Sequence, residues 1–270
     1  MNALKPNEQM LLAAVEKLAP LLDQLVFVGG CATGLLITDA GAATVRVTRD
    51  VDVIIDLANS AGYGFVDAML RNEEAAHISD AQVRKTDDVD TIVDSASYTE
   101  FTALGARLRE LGFRESIQEG APICRWESGD LVLDVMPIDP KVLGFGNRWY
   151  QAAFQNAAAM RVGKYEIRTI TAPYFLATKL DAYRNRGKND FHSSSDLEDV
   201  VSILDGRPEV IEEVALADPE LRKYLGDEFR KLISNRQFVE SLPGFLLPDE
   251  ASQGRIGLIL KRMKQLIDDN

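Results

Sequence analysis

Residues 45–55 read VRVTRDVDVII, a run rich in valine and isoleucine that carries Asp50 and Asp52 two positions apart. β-Branched residues at this density predict a buried strand, where carboxylates are out of place. In an extended chain Asp50, Asp52, Ile54 and Asp56 share one face, and Val51, Val53, Ile55 and Leu57 share the other. The apolar face is expected to pack and the acidic face to point at something. Two carboxylates held a few ångströms apart repel each other, so the ionised pair calls for a cation. Magnesium or manganese, which take carboxylate oxygens, would suit it. An edge strand with a wet acidic face would read the same way, and Asp-x-Asp alone does not separate the two.

The rest of the chain limits the answer. With 270 residues, 46% hydrophobic and 27% charged, the protein can fill one large core or two modest ones. No apolar run approaches the roughly 20 residues of a membrane span. The start, MNALKPNEQMLLAAVEKLAP, reads as an amphipathic helix without the basic start and continuous apolar core of a signal peptide. A cytoplasmic protein with no membrane partner is expected. Cys31 and Cys124 give neither a disulfide framework nor a zinc spacing, and His77 and His192 are the two histidines. Any metal would therefore be held by oxygen. A net charge of −12 argues against clamping long nucleic acid over a broad basic face. Local basic patches remain in RLRELGFRES (107–116) and DAYRNRGKND (181–190), where solvated helix faces are the commoner explanation.

Outward from the acidic run, helices and strands alternate. EQMLLAAVEKLAPLLDQ (8–24) has the helical period. LVFVGG (25–30) is a short buried strand ending in two glycines, and CATGLLITDAG (31–41) is one or two helical turns closed by Gly41. A helix is expected near 62–71, and another in SYTEFTALGARLRELGF (97–113), ending at Gly112. APICRWES (121–128) and LVLDVMPI (131–138) predict a hairpin around Gly129 and Asp130. Past residue 170 the chain turns to capped helices. Thr171 and Pro173 open one, and a capping box from Ser195 to Glu198 opens another that stops at Gly206. The reading is an α+β half, residues 1–165, joined to a helical half, residues 166–270. No Ser/Gly/Pro-rich linker divides them, so they are expected to pack together.

Two features strengthen the acidic face. Gly29 and Gly30 end a strand just before a helix, where their lack of side chains lets backbone N–H groups approach a phosphate. Asp134 sits alone between apolar neighbours in LVLDVMPID (131–139), a third acid in need of a reason. Two carboxylates on one strand, a third on an adjacent strand and a glycine turn are the parts that two-metal nucleotidyl transfer requires.

Gly29-Gly30, then RVTRDVDV (46–53), then LDVMPID (133–139), resemble the nucleotidyltransferase fold of the DNA polymerase β superfamily. GFGNRWY (144–150), FLATKLDAYRNRG (175–187) and DLEDVV (196–201) extend the resemblance, over residues 25–205, to the AbiEii-like nucleotidyltransferases, many of them toxins of toxin–antitoxin pairs. The resemblance implies a mixed β-sheet with flanking helices followed by a helical half. It further implies magnesium (or manganese) held by Asp50, Asp52 and Asp134, with Asp134 helping to deprotonate the acceptor. Gly29, Gly30, Thr48 and Lys179 would bind an NTP. The acceptor would be RNA, such as a tRNA end, or a protein, and a cognate antitoxin would be a partner. A small-molecule transferase of the antibiotic-modifying kind and an inactive nucleotide-binding relative are the competing readings.

One departure complicates the choice of acids. RVTRDVDVIIDL (46–57) recurs as RKTDDVDTIVDS (84–95), identical at seven of twelve positions, so Asp88 and Asp90 form a second candidate pair. The resemblance places the pair a short way after the glycines, which favours Asp50 and Asp52. Smaller expectations are ion pairs for Arg46 and Arg49, packing for Trp149 rather than a pocket with Arg125 and Arg148, and either a nucleotide contact or helix capping for Thr33. Asp190, Asp196 and Asp199 lie where a helix dipole favours acids without any chemistry, and His192 is read as an exposed loop residue.

Overall fold

Strand β1 (Leu25–Val28) is a run of four apolar residues, all buried, and it pairs on both edges. Around it, in a computed structural model that describes residues 5–42, 45–57, 95–186 and 190–268, lie β2 (Val51–Ile55), β3 (Arg114–Glu115), β4 (Arg125–Ser128), β5 (Leu131–Pro137), β6 (Ala158–Val162) and β7 (Tyr165–Thr169). These seven strands form one sheet in the order β3-β4-β5-β2-β1-β7-β6. Pairs β1/β7 and β2/β5 are parallel and the others antiparallel, so the sheet is mixed. The helices are α1 (Pro6–Lys17), α2 (Gly29–Leu36), α3 (Ser95–Glu110), α4 (Tyr150–Gln155), α5 (Ala172–Arg186), α6 (Ser195–Gly206), α7 (Val210–Ala215), α8 (Pro219–Ser234), α9 (Arg236–Ser241), α10 (Glu250–Gly254) and α11 (Ile256–Asp268). The α+β class, with a mixed sheet, flanking helices and a helical C-terminal half, is what the structure has. The helix expected near 62–71 and the second acidic run with Asp88 and Asp90 lie outside the described residues.

Alternation along the strands sends apolar groups to two cores. Leu25 and Phe27 of β1, with Val51, Val53 and Ile55 of β2, pack with Leu11 and Val15 of α1 and Leu104 and Leu108 of α3. Val26, Val28 and Ile54 face the other way, onto Phe175 and Leu180 of α5, Val200 of α6 and Phe229 of α8. The sheet is thus covered on both faces, and the helical half is one of the covers. β2 lies between β1 and β5, which excludes the wet edge strand. Its acidic face is not wholly acidic either, because Ile54 is fully buried there.

Four local expectations are corrected. The helix read over 8–24 stops at Lys17 and continues as a 3₁₀ segment, Ala19–Gln24, because Pro20 has no N–H and its ring would clash inside an α-helix. The strand of the acidic run begins at Val51, not in the mid-forties. Its partner β1 ends opposite Asp52, and the preceding backbone is bound elsewhere: Asn7 donates Nδ2 to the Arg46 carbonyl and accepts from the Thr48 N–H. The N-cap of α6 is Ser194, whose hydroxyl accepts from Leu197 N–H, rather than Ser195. α3 closes at Gly112 and β4 and β5 form the hairpin about Gly129 and Asp130, as expected, whereas α2 ends at Leu36, where Ile37 turns extended, and is not closed by Gly41.

Candidate functional site

Sheet register assembles the site. Val28 on β1 pairs with Asp52 on β2, Asp52 with Asp134 on β5, and Asp134 with Arg125 on β4. The row continues from Val28 into Gly29, where the chain leaves the sheet with φ of +67° and starts α2. A β-carbon at residue 29 would lie 1.9 Å from Asp52 Oδ2. The glycine is therefore required by the Asp52 carboxylate itself, whatever else approaches it.

Asp50, just before β2, completes the cluster: one oxygen each from Asp50, Asp52 and Asp134 lie within 4.8 Å of one another. Thr48 donates its hydroxyl to Asp50 Oδ1 at 3.0 Å and fixes that carboxylate. Arg125 donates Nε and Nη2 to the two oxygens of Asp134 at 2.8 and 2.7 Å, and Nη2 also to Asp50 Oδ2 at 3.1 Å. Hydrogen bonds to Asp134, and the Asp50 and Asp52 charges, hold the guanidinium above its ordinary pKa. The donor set consists of hard oxygens, packed around space that only a residue without Cβ leaves, and it fits an oxygen-liganded divalent ion.

The helical half supplies the other wall. A cavity of about 160 Å³ is lined by Gly29, Asp52, Cys124, Asp134, Lys179 and Asp196, among others. Lys179, on α5, sets its ammonium 2.7 Å from Asp199 Oδ2 and 3.3 Å from Asp196 Oδ1. Burial pulls its pKa down, but Asp199, Asp196 and more distantly Asp52 outweigh that and leave it raised. Asp199, fully buried, also accepts from Arg46 Nε and Nη2 at 3.1 and 3.0 Å. Asp196 and Asp199 are thus partners of buried cations, which corrects their reading as acids merely favoured by the start of a helix. Arg46 makes its ion pair with α6 and not with the neighbouring acidic pair.

The sequence-based candidates divide accordingly. Gly29, Thr48, Asp50, Asp52, Asp134 and Lys179 come together. Gly30 follows as the next residue of α2, its α-carbon facing the ends of Arg46 and Thr48. Thr33 is buried within α2. Trp149 is core, packed on Tyr224 with ring centres 5.0 Å apart, and Arg148 lies over both rings. His192 is exposed in its loop. Burial, then the Asp134 charge, pushes the Cys124 thiol up to about 12, so it is un-ionised near neutral pH and no nucleophile. Sequence patterning does not mark Arg125, Asn7, Asp196 or Asp199 for these roles.

No family model matches the chain, and no curated protein matches it. Among solved structures, that of an antigenic nucleotidyltransferase-like protein from Paracoccidioides brasiliensis is similar at a TM-score of 0.40 and 17% identity, covering 88% of this chain and 91% of that one. A similarity that loose does not transfer an activity. Among the described residues no helix is long and apolar enough to cross a membrane.

Proposed function

We propose that the protein is a cytoplasmic, magnesium-dependent nucleotidyltransferase that moves an NMP from an NTP to an acceptor on RNA, such as a tRNA end, or on a protein. Residues 1–165 would be the catalytic part, and residues 166–270 the helical part packed on it. A role as the toxin of a toxin–antitoxin pair, with a cognate antitoxin as partner, extends the same reading. The observation that carries it is the convergence of three carboxylate oxygens within 4.8 Å, beside a glycine turn and a buried lysine.

In this reading Asp50 and Asp52 would hold magnesium or manganese, with Asp134 as third ligand once Arg125 has released it. When bound, the ion offsets the charge of the triphosphate and of the oxygens around the reacting phosphorus. The acceptor hydroxyl forms a bond to the α-phosphorus, the bond to the β-phosphate oxygen breaks, and pyrophosphate leaves. The hydroxyl proton passes to Asp134. Both Asp134 oxygens accept from Arg125, so the guanidinium must loosen before that carboxylate takes a proton. Thr48 orients Asp50, Gly29 and Gly30 keep the approach to α2 clear for phosphate, and Lys179 keeps a positive charge in the cleft.

The test is incubation with magnesium and each α-labelled NTP, with total RNA, cell protein or no acceptor. Label is expected on RNA or protein, and it should vanish in the Asp50→Ala/Asp52→Ala variant while the far-UV spectrum stays native. Full transfer by that variant would sink the assignment of the acids. A second reading, a small cationic acceptor, would draw on the acidic balance of the chain, a net charge of −12. It predicts transfer to an added amine-bearing small molecule with no macromolecule present.

A further inference from the structure

A guanidinium already lies among the three acids. Arg125 occupies both oxygens of Asp134 and one of Asp50, and the other Asp50 oxygen receives the Thr48 hydroxyl. The guanidinium thus already neutralises part of the carboxylate charge that a divalent cation would meet. The planar fork of an arginine matches a carboxylate in this two-point fashion, which an ammonium cannot do.

We propose that Arg125 is a resident counter-cation that takes the place of a second metal ion. While it is clamped on Asp134, the cluster accepts one divalent ion, at Asp50 and Asp52, and a second is admitted only when Arg125 withdraws. The proposal rests on the metal-binding reading given above. The clamp forms with the sheet, because hairpin register sets Arg125 opposite Asp134. It also has a way out, since the arginine side chain is 28% exposed, against 10% for Asp134. Other cations of the cleft are not available to replace it: Lys179 is bound by Asp196 and Asp199, and Arg46 by Asp199. Arg125 is a positioning residue here, since it acts through the carboxylates it holds.

Mn²⁺ titration, with free ion read from its electron paramagnetic resonance signal, tests this without NTP or turnover. The wild-type chain is expected to bind one Mn²⁺. Asp134→Asn should still bind no more than one ion, and bind it more weakly, because the arginine stays while a carboxylate has gone. Arg125→Met should bind a second ion, or bind the first roughly tenfold tighter or more, because a positive charge a few ångströms away has gone. Arg125→Lys, which keeps the charge without the fork, should stay at one ion.

Two ions on the wild type, two ions on Asp134→Asn, or an Arg125→Met variant that binds as wild type would each overturn the proposal alone. No binding to any of the four proteins would overturn it together with the metal-binding reading. If Arg125→Met fails to fold, Asp134→Asn and Arg125→Lys still decide it.

Discussion

Two adjacent glycines sit at the mouth of the site, and they are glycines for different reasons. At Gly29 the backbone has φ of +67°, and a β-carbon would meet Asp52 Oδ2 at 1.9 Å and Asp52 Cβ at 2.8 Å. The second contact is with the root of a strand side chain, which cannot move aside cheaply. At Gly30 a β-carbon would meet the ends of Arg46 and Thr48 side chains at 2.9 and 3.4 Å, and these can yield. Gly29→Ala should cost about 1–3 kcal/mol from left-handed strain and the displaced carboxylate, and should weaken Mn²⁺ binding as well. Gly30→Ala should stay within about 1 kcal/mol of wild type, since alanine favours the helix it would join. Urea unfolding checks both, and equal costs at the two positions would refute the distinction. Asp52 and Asp134 were legible as lone acids among apolar neighbours. Arg125 was legible too, by counting outward from the two-residue turn at Gly129 and Asp130, which puts it opposite Asp134. Counting was needed because a single arginine in APICRWES carries no periodic signal.

At the scale of the element, the segment before β2 has no strand partner among the described residues and is fastened by side chains. Asn7 of α1 binds its backbone at Arg46 and Thr48, and Arg46 reaches across to Asp199 of α6. Asp199 thereby joins the segment carrying Asp50 to the helix carrying Lys179. Asp199→Ala would leave Lys179, 9% exposed, with Asp196, and Arg46 with Glu198 at 3.9 Å. A loss of about 3 kcal/mol is expected, the cost of breaking a buried charge pair from one side.

The same network sets a pH limit. Lys179 has a pKa raised above 10.5, because Asp199 and Asp196 outweigh the penalty of burial, its largest single effect. A raised pKa means that the folded state binds the proton more tightly than the unfolded state. The stabilisation is therefore complete below pH 10.5 and declines as pH climbs towards the folded value. Urea midpoints from pH 8 to 11 should fall at the alkaline end for wild type and fall less for Asp199→Ala. Parallel curves would count against this account. Periodicity could not show the network, because its four charged residues come from three separate segments.

At the scale of the whole molecule, the sheet divides the apolar interior into two clusters, and the site opens where the helical half meets the strand ends. The acidic face of β2 begins with Asp52 and continues into Ile54, which packs with the helical half. The same strand thus positions the acid and anchors its cover, and neither face of the sheet can be stripped without exposing β1 and β2. The sequence carries the change from alternating elements to capped helices, with no Ser/Gly/Pro-rich linker at the change. It could not show that the two halves share strand residues, because which neighbour covers a strand face depends on sheet order.

The two tryptophans of the chain test that unity, since Trp126 lies in the α1/α3 cluster and Trp149 in the cluster of the helical half. Neither indole N–H has a hydrogen-bond partner among the described residues, so Phe at either position strands no acceptor. Each single-tryptophan variant, Trp126→Phe or Trp149→Phe, then reports one cluster by fluorescence while far-UV circular dichroism reports the whole. If the halves form one cooperative unit, the fluorescence and dichroism transitions in urea coincide within each variant. A Trp126 signal that persists after the helices have melted would show that the α+β half stands without its cover. The cavity wall built from Lys179 and Asp196 would then be a docked surface instead of part of a single core.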